Sequence, residues 1–193
     1  MALALRPALK SDAAEIALLV NIAVHGGMAR GWAEDEEAEG TYEPVEVGRL
    51  EMLKDEVFGW RSATMAEDEG EIAGMLLGYR KGDARRPVPD DIWAPLRPIQ
   101  ELEEEANGHW FISMVGVHKT WRGRGAGSLL LDHADKMAGE TAAKGQALIV
   151  EDANEGARKL YERRGFSVKT SRPMAPFPGV PPHGADWLLM IKE

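Results

Sequence analysis

The residues best suited to chemistry lie together at Val115-Gly-Val-His-Lys-Thr-Trp-Arg-Gly-Arg-Gly-Ala-Gly-Ser-Leu-Leu-Leu131, where an apolar run gives way to a turn dense in Arg and Gly and then to an amphipathic pattern. Such a turn at the start of a helix aims backbone N–H groups outward at the positive end of the helix dipole, which is an anion-binding arrangement. The glycines allow close approach, Arg122 and Arg124 add charge, and a diphosphate is the natural guest. Two familiar phosphate motifs fit poorly. A Walker A loop needs a Lys-Ser/Thr pair after its second Gly, which this turn lacks, and the dinucleotide fingerprint read from Gly123 puts Ser128 at the third small packing position.

The pattern that does fit is Arg122-x-x-Gly125-x-Gly127 following the strand end Val115-Gly116-Val117. A second segment stands downstream with one strand candidate between: Asn154-x-x-Ala157-x-x-Leu160-Tyr161-x-x-x-Gly165-Phe166. Weaker echoes are Leu5-Arg6-Pro7-Ala8 with Ser11-Asp12, and Ile72-Ala73-Gly74. With these motifs in order, the chain resembles the GNAT family of acetyl-CoA-dependent N-acyltransferases, most strongly over Trp110 to Phe166.

The resemblance implies that acetyl-CoA (coenzyme A) is the co-substrate. It implies that Val115, Gly116 and Val117 offer backbone groups to the pantetheine arm, and that the amides of Arg122, Gly123, Arg124, Gly125, Ala126, Gly127 and Ser128 hold the pyrophosphate. Asn154, Ala157 and Tyr161 then face the thiol end. A neutral amine attacking the thioester carbonyl gives a tetrahedral oxyanion, for which a backbone N–H near Val115 is the donor. Direct transfer needs no covalent enzyme intermediate, which agrees with a chain that has no cysteine and no Gly-x-Ser-x-Gly elbow. Tyr161 is assigned as the general acid, since a phenol with a reference pKa of about 10 can protonate a departing thiolate; packing on an apolar helix face is its other reading. Family members often carry a Glu or His on the strand before the turn, but Phe111 and Ser113 occupy those positions here. That leaves His109 and Glu105, with Glu104 beside them, as candidates for a base acting through water, against the reading of that run as a solvated acidic face.

Stepwise along the chain, hydrophobic periodicity supplies the elements that must position these groups. Leu3 to Arg6 reads as a strand, and Asp12 with Glu15 as a capping box before Ile16, Leu19, Val20 and Ala23 at helical spacing. Pro44 suits a first helical turn leading to Val47, Leu50, Leu53 and Val57, with Gly59 as the stop. Arg61 to Ala66 and Glu71 to Tyr79 form a hairpin around Glu67-Asp68-Glu69-Gly70. Trp110 to Val117 is a strand, Gly125 starts a helix carrying Leu130, Ala134 and Met137, and Ala147 to Val150 is a buried strand. Asn154 caps a helix ending at Gly165, and Phe166 to Thr170 and Asp186 to Ile191 close the chain as strands. The fold expected is α+β (mixed α/β): a single domain over 1–193 with a central mixed, mostly antiparallel sheet flanked by helices. Nine of the 11 prolines fall in two places, which predicts a loop insertion at about 81–108 and a proline-rich loop at about 172–185.

Composition narrows the partners. The 193 residues are 44% hydrophobic and 28% charged, a globular balance with enough chain to bury a core. The absence of cysteine excludes thiolate nucleophiles and zinc-thiolate sites and suits a reducing, cytoplasmic setting. The N-terminus lacks the basic-then-apolar order of a signal peptide, and Ile16 to Val24 is too short to cross a bilayer. His25, His118, His133 and His183 show no ligand spacing, so no metal is expected. Lys plus Arg number 23 against 32 Asp plus Glu, and the net charge of −9 argues against nucleic-acid and anionic-membrane partners. Glu34, Asp35, Glu36, Glu37 and Glu39 with Glu101, Glu103, Glu104 and Glu105 make up nine carboxylates, as many as the whole negative excess. Both runs lie in segments that the resemblance places on the acceptor side, so the expected acceptor is a small cationic amine. The alternatives are a non-catalytic acyl-CoA-binding module and a protein N-terminal or lysine acetyltransferase; the resemblance also allows a homodimer.

Overall fold

The computed structural model describes residues 2–33, 44–54, 58–176 and 183–193. Seven strands, β1 (Ala4–Pro7), β2 (Ala63–Asp68), β3 (Glu71–Arg80), β4 (Trp110–Val117), β5 (Gln146–Glu151), β6 (Ser167–Pro173) and β7 (Asp186–Lys192), make one sheet in the order β1-β2-β3-β4-β5-β7-β6. The pairs β1·β2, β2·β3, β5·β7 and β6·β7 are antiparallel, and β4·β5 is parallel. Among the described residues six α-helices accompany them: α1 (Ala13–Ala23), α2 (Gly27–Ala33), α3 (Pro44–Lys54), α4 (Arg97–Glu103), α5 (Ala126–Glu140) and α6 (Glu155–Arg163). The expected mixed, mostly antiparallel sheet with helices is the architecture found.

Two compact units divide the chain, Met1–Tyr79 with Ser113–Ala134 and Arg80–Ile112 with Asp135–Glu193. In the first, Ile16, Leu19 and Val20 of α1 pack with Val47 and Met52 of α3 and with Met65, Met75 and Leu77 of the hairpin, all essentially removed from water. Each such side chain contributes about 1.5–3 kcal/mol of burial. The hairpin turns on Glu69 and Gly70, both at positive φ (51° and 87°), as a two-residue loop between right-twisted strands requires. In the second unit, Leu102, Trp110, Phe111 and Ile112 are buried, as are Ala147, Leu148 and Leu189. On the outer strand β6, Lys169 is an extra residue between the paired Val168 and Thr170, so the ladder with β7 shifts there.

Three expectations are corrected. The capping box of Asp12 and Glu15 does not form: Asp12 accepts the Leu9 N–H at 2.6 Å and takes the Arg6 guanidinium at 2.7 Å, a charged partner that outcompetes a neutral amide. The segment 81–108 is not all loop, because it contains α4; Pro98 sits in the helix's first turn, where no N–H is required. Strand β6 runs to Pro173, so the second proline-rich loop starts later than position 172, and Met174 N–H still pairs with the Ala185 carbonyl at 2.9 Å. Helix α2 was not expected from a segment with Gly27 and Gly31. It forms around Trp32, which is buried and lies over Gly48 of α3 so closely that a Cβ on Gly48 would come within 2.5 Å of its ring. Val57, Glu34 to Glu39, and Pro178, Pro181 and Pro182 lie outside the described residues.

Candidate active site

In the first unit the strand, glycine turn and helix expected from the sequence follow one another in order. Strand β4 delivers Val115, Gly116 and Val117 to His118, and a single 3-10 turn at Lys119–Trp121 leads into the glycine turn. Gly123 and Gly125 both adopt positive φ, 73° and 92°, with open space where a side chain would stand. Arg122, Gly123, Arg124 and Gly125 are exposed. The Arg122 and Arg124 amides donate back to the Lys119 and Trp121 carbonyls at 3.4 and 3.3 Å. The first bond of α5 runs from Leu129 N–H to the Gly125 carbonyl at 2.9 Å, so the amides of Ala126 and Gly127, in the first turn of the helix, have no helical acceptor. Two exposed glycines and two exposed arginines at a helix start make an arrangement that suits an anion.

Two carboxylates brace this turn from below. Glu15 of α1 meets His118 Nε2 at 2.5 Å, and Glu71 at the start of β3 accepts the Trp121 indole N–H at 3.0 Å. Trp121 is buried beneath the turn, and the Arg124 guanidinium stands 5.6 Å from its ring centre. Glu15, Glu71, Ile72, His118 and Thr120 line a groove of about 330 Å³ at this point. Sequence reasoning did not pair these residues. Glu15 and His118 are separated by 103 positions, and no local pattern announces such a contact. Gly116 has a close neighbour as well: a Cβ there would lie 2.7 Å from the Leu19 carbonyl of α1.

The second unit holds the remaining predicted residues. Asn154 caps α6, its Oδ1 accepting the Ala157 N–H at 3.2 Å. At the other end of α6, Gly165 at φ 89° lets its own N–H reach the Glu162 carbonyl and the Phe166 N–H reach the Tyr161 carbonyl, both at 3.0 Å. The Tyr161 and Phe166 rings meet edge to face, 5.9 Å between centres. Removal from water pushes the Tyr161 phenol up to about 12. His109 is buried, with Nδ1 3.2 Å from the Ala106 carbonyl, an arrangement that suits an Nδ1–H donor.

Glu105 accepts from Arg172 at 2.6 Å, and Glu101 lies 3.5 Å from the same guanidinium. Glu103 and Glu104 both take the ammonium of Lys81, which is only 3% exposed, at 2.9 and 3.1 Å. Burial alone would raise Glu104, but the Arg86 amide and Lys81 outweigh it and hold its carboxyl below the usual range. Within the run from Glu101 to Glu105, four carboxylates thus meet two cations, the buried Lys81 and the partly exposed Arg172.

Residues 28–166 match the model of the Acetyltransferase (GNAT) family. Among curated proteins, the "Uncharacterized N-acetyltransferase YdgE" of Bacillus subtilis (strain 168) is 30% identical over 108 residues, 56% of this chain and 55% of that protein. The mycothiol acetyltransferase of Propionibacterium freudenreichii subsp. shermanii is 30% identical over 104 residues, 54% of this chain and 31% of that one. The match thus spans about half or less of the length of these relatives. A crystal structure described as an acetyltransferase shares the fold with a TM-score of 0.65 at 22% identity, covering 98% of both chains. An N-acetyltransferase from Staphylococcus aureus Mu50 does so at 0.64 and 17%, covering 97% of this chain and 99% of that one.

Proposed function

The chain belongs to the acetyltransferase (GNAT) family, and from that premise we propose that it transfers an acetyl group from acetyl-CoA directly to the nitrogen of a small amine. The observation that carries this reading is the turn at Arg122 to Gly127: paired positive-φ glycines and exposed arginines at the start of a 15-residue helix. The amides of Gly125, Ala126 and Gly127 with Arg122 and Arg124 hold the diphosphate. The coenzyme supplies an acetyl group activated as a thioester. Strand β4 pairs with β5 over Trp110–Ile112, and beyond that ladder the backbone of Val115 to Val117 would hold the pantetheine arm. The Val115 N–H donates to the thioester carbonyl oxygen as negative charge builds there. As the C–N bond forms and the C–S bond breaks, Tyr161 Oη gives its proton to the leaving sulfur, and the surplus proton on the amine returns through water to the tyrosinate. Asn154 holds the start of α6 and so the placement of Tyr161.

The net charge of −9 and the run Glu34 to Glu39 favour a cationic acceptor. A second reading, a coenzyme-binding module without turnover, is favoured by Phe111 and Ser113 on β4 and by the internal partners held by His109 and Glu105. One measurement separates the two. The purified chain is expected to gain thermal stability with coenzyme A, about 2.7 kcal/mol at a hundred times Kd, and to release thiol from acetyl-CoA on some member of an amine panel. Stabilisation with no turnover on any amine would establish the module, and no stabilisation would overturn both.

A further inference from the structure

We propose that Glu71 is a positioning residue for the coenzyme turn, acting through Trp121 on Arg124. This inference rests on the coenzyme reading above and concerns a residue that touches no substrate in it. Three observations meet. Glu71 accepts the Trp121 indole N–H at 3.0 Å, Trp121 is 5% exposed, and the Arg124 guanidinium lies over the same ring. An indole N–H out of contact with water needs an acceptor, and Glu71 supplies a charged one. The ring so held offers Arg124 a fixed face, and a guanidinium at 5.6 Å is within range of cation–π attraction. Arg124 stands between two positive-φ glycines, so its own backbone restrains the side chain little. The Glu71–Trp121 pair replaces that missing restraint with one that crosses from β3 to the turn. The root of the turn is tied in the same sense, by Glu15 to His118. Preorganising a cation over an anion site lowers the ordering cost that binding must otherwise meet.

The test compares two acetyl donors, acetyl-CoA and S-acetylpantetheine, which carries the thioester without the diphosphate. Glu71→Ala is expected to raise KM for acetyl-CoA about three- to tenfold, the loss of one charged hydrogen bond and part of a cation–π contact. The same variant should leave kcat and the KM for S-acetylpantetheine unchanged, because only the diphosphate feels Arg124. Glu71→Gln keeps an oxygen acceptor and should restore most of the KM. Trp121→Phe removes the N–H and keeps a ring, and the double variant with Glu71→Ala should cost no more than either alone. An acetyl-CoA KM unmoved in Glu71→Ala would overturn the proposal, as would equal rises for both donors, a Gln variant as weak as Ala, or additive losses in the double variant. A wild-type chain that neither binds coenzyme A nor turns it over would sink the coenzyme reading first, before any variant is made.

Discussion

Tyr161 combines two jobs that a substitution can separate. Its ring contacts Phe166 and its carbonyl closes the end of α6, so part of its value is architectural. Its hydroxyl carries the proposed role of general acid. Tyr161→Phe keeps the ring contact and is expected to lower kcat by about 10²–10⁴ while thermal stability and coenzyme binding stay as they were; undiminished turnover would return the residue to a packing role. Because burial pushes the phenol up to about 12, the acid form persists through any ordinary assay range. No loss of rate from its ionisation is expected below about pH 11. The sign for stability follows from the same shift. Unfolded tyrosine gives up its proton near pH 10 while the folded one keeps it, so the contribution is complete below 10 and is lost as pH rises through 12. A stability profile flat between those values would contradict it.

At the scale of elements, Gly48 shows how tertiary contact overrides propensity. In an isolated helix Gly→Ala is worth about 1 kcal/mol of gain. Here the added methyl would press on the Trp32 ring, so Gly48→Ala is expected to destabilise by about 1–3 kcal/mol, measured as a lower urea midpoint with an unchanged m-value. A stabilised variant would show that Trp32 can yield. The same contact explains what was legible in the sequence. Strand β4, the start of α5 and the cap at Asn154 could be read because their signals are local: an apolar run, a glycine turn, an Asn with its acceptor three residues from the donor. Helix α2 could not, since Gly27 and Gly31 argue against it and what holds it is tertiary: the packing of Trp32 and the Ala29 N–H donated to Asn21 Oδ1 at 2.9 Å. Helix α4 was hidden by Pro98, which punctuates a chain either as a breaker or as a first-turn residue. At the site, the motif residues were legible and their braces were not, because Glu15 and Glu71 reach His118 and Trp121 across 103 and 50 positions.

For the molecule as a whole, charge is distributed by job and not by run. The carboxylates from Glu101 to Glu105 neutralise Lys81 and Arg172 inside the second unit, while Glu34 to Glu39 carry the remaining argument for a cationic acceptor. Lys81→Met would strand the Glu104 carboxylate out of water, with the Arg86 backbone amide still donating to it. The expected cost is about 3–5 kcal/mol, read from denaturant midpoints, and a neutral result would mean that water reaches Glu104. Since the Glu104 carboxyl is held below the ordinary carboxylate range, its contribution is present above that range and is lost as pH falls beneath it, through the lowered folded value. Among the described residues, no helix is long and apolar enough to cross a membrane.

The irregularity on β6 bears on how copies of this chain meet. A second molecule that tried to extend the sheet at that border would face a ladder interrupted at Lys169 and closed by Pro173, which has no N–H to give. Edge-to-edge polymerisation is thereby discouraged. In concentrated solution, colloidal behaviour then falls to mutual repulsion between bodies of charge −9, and screening salt becomes the variable that brings them together.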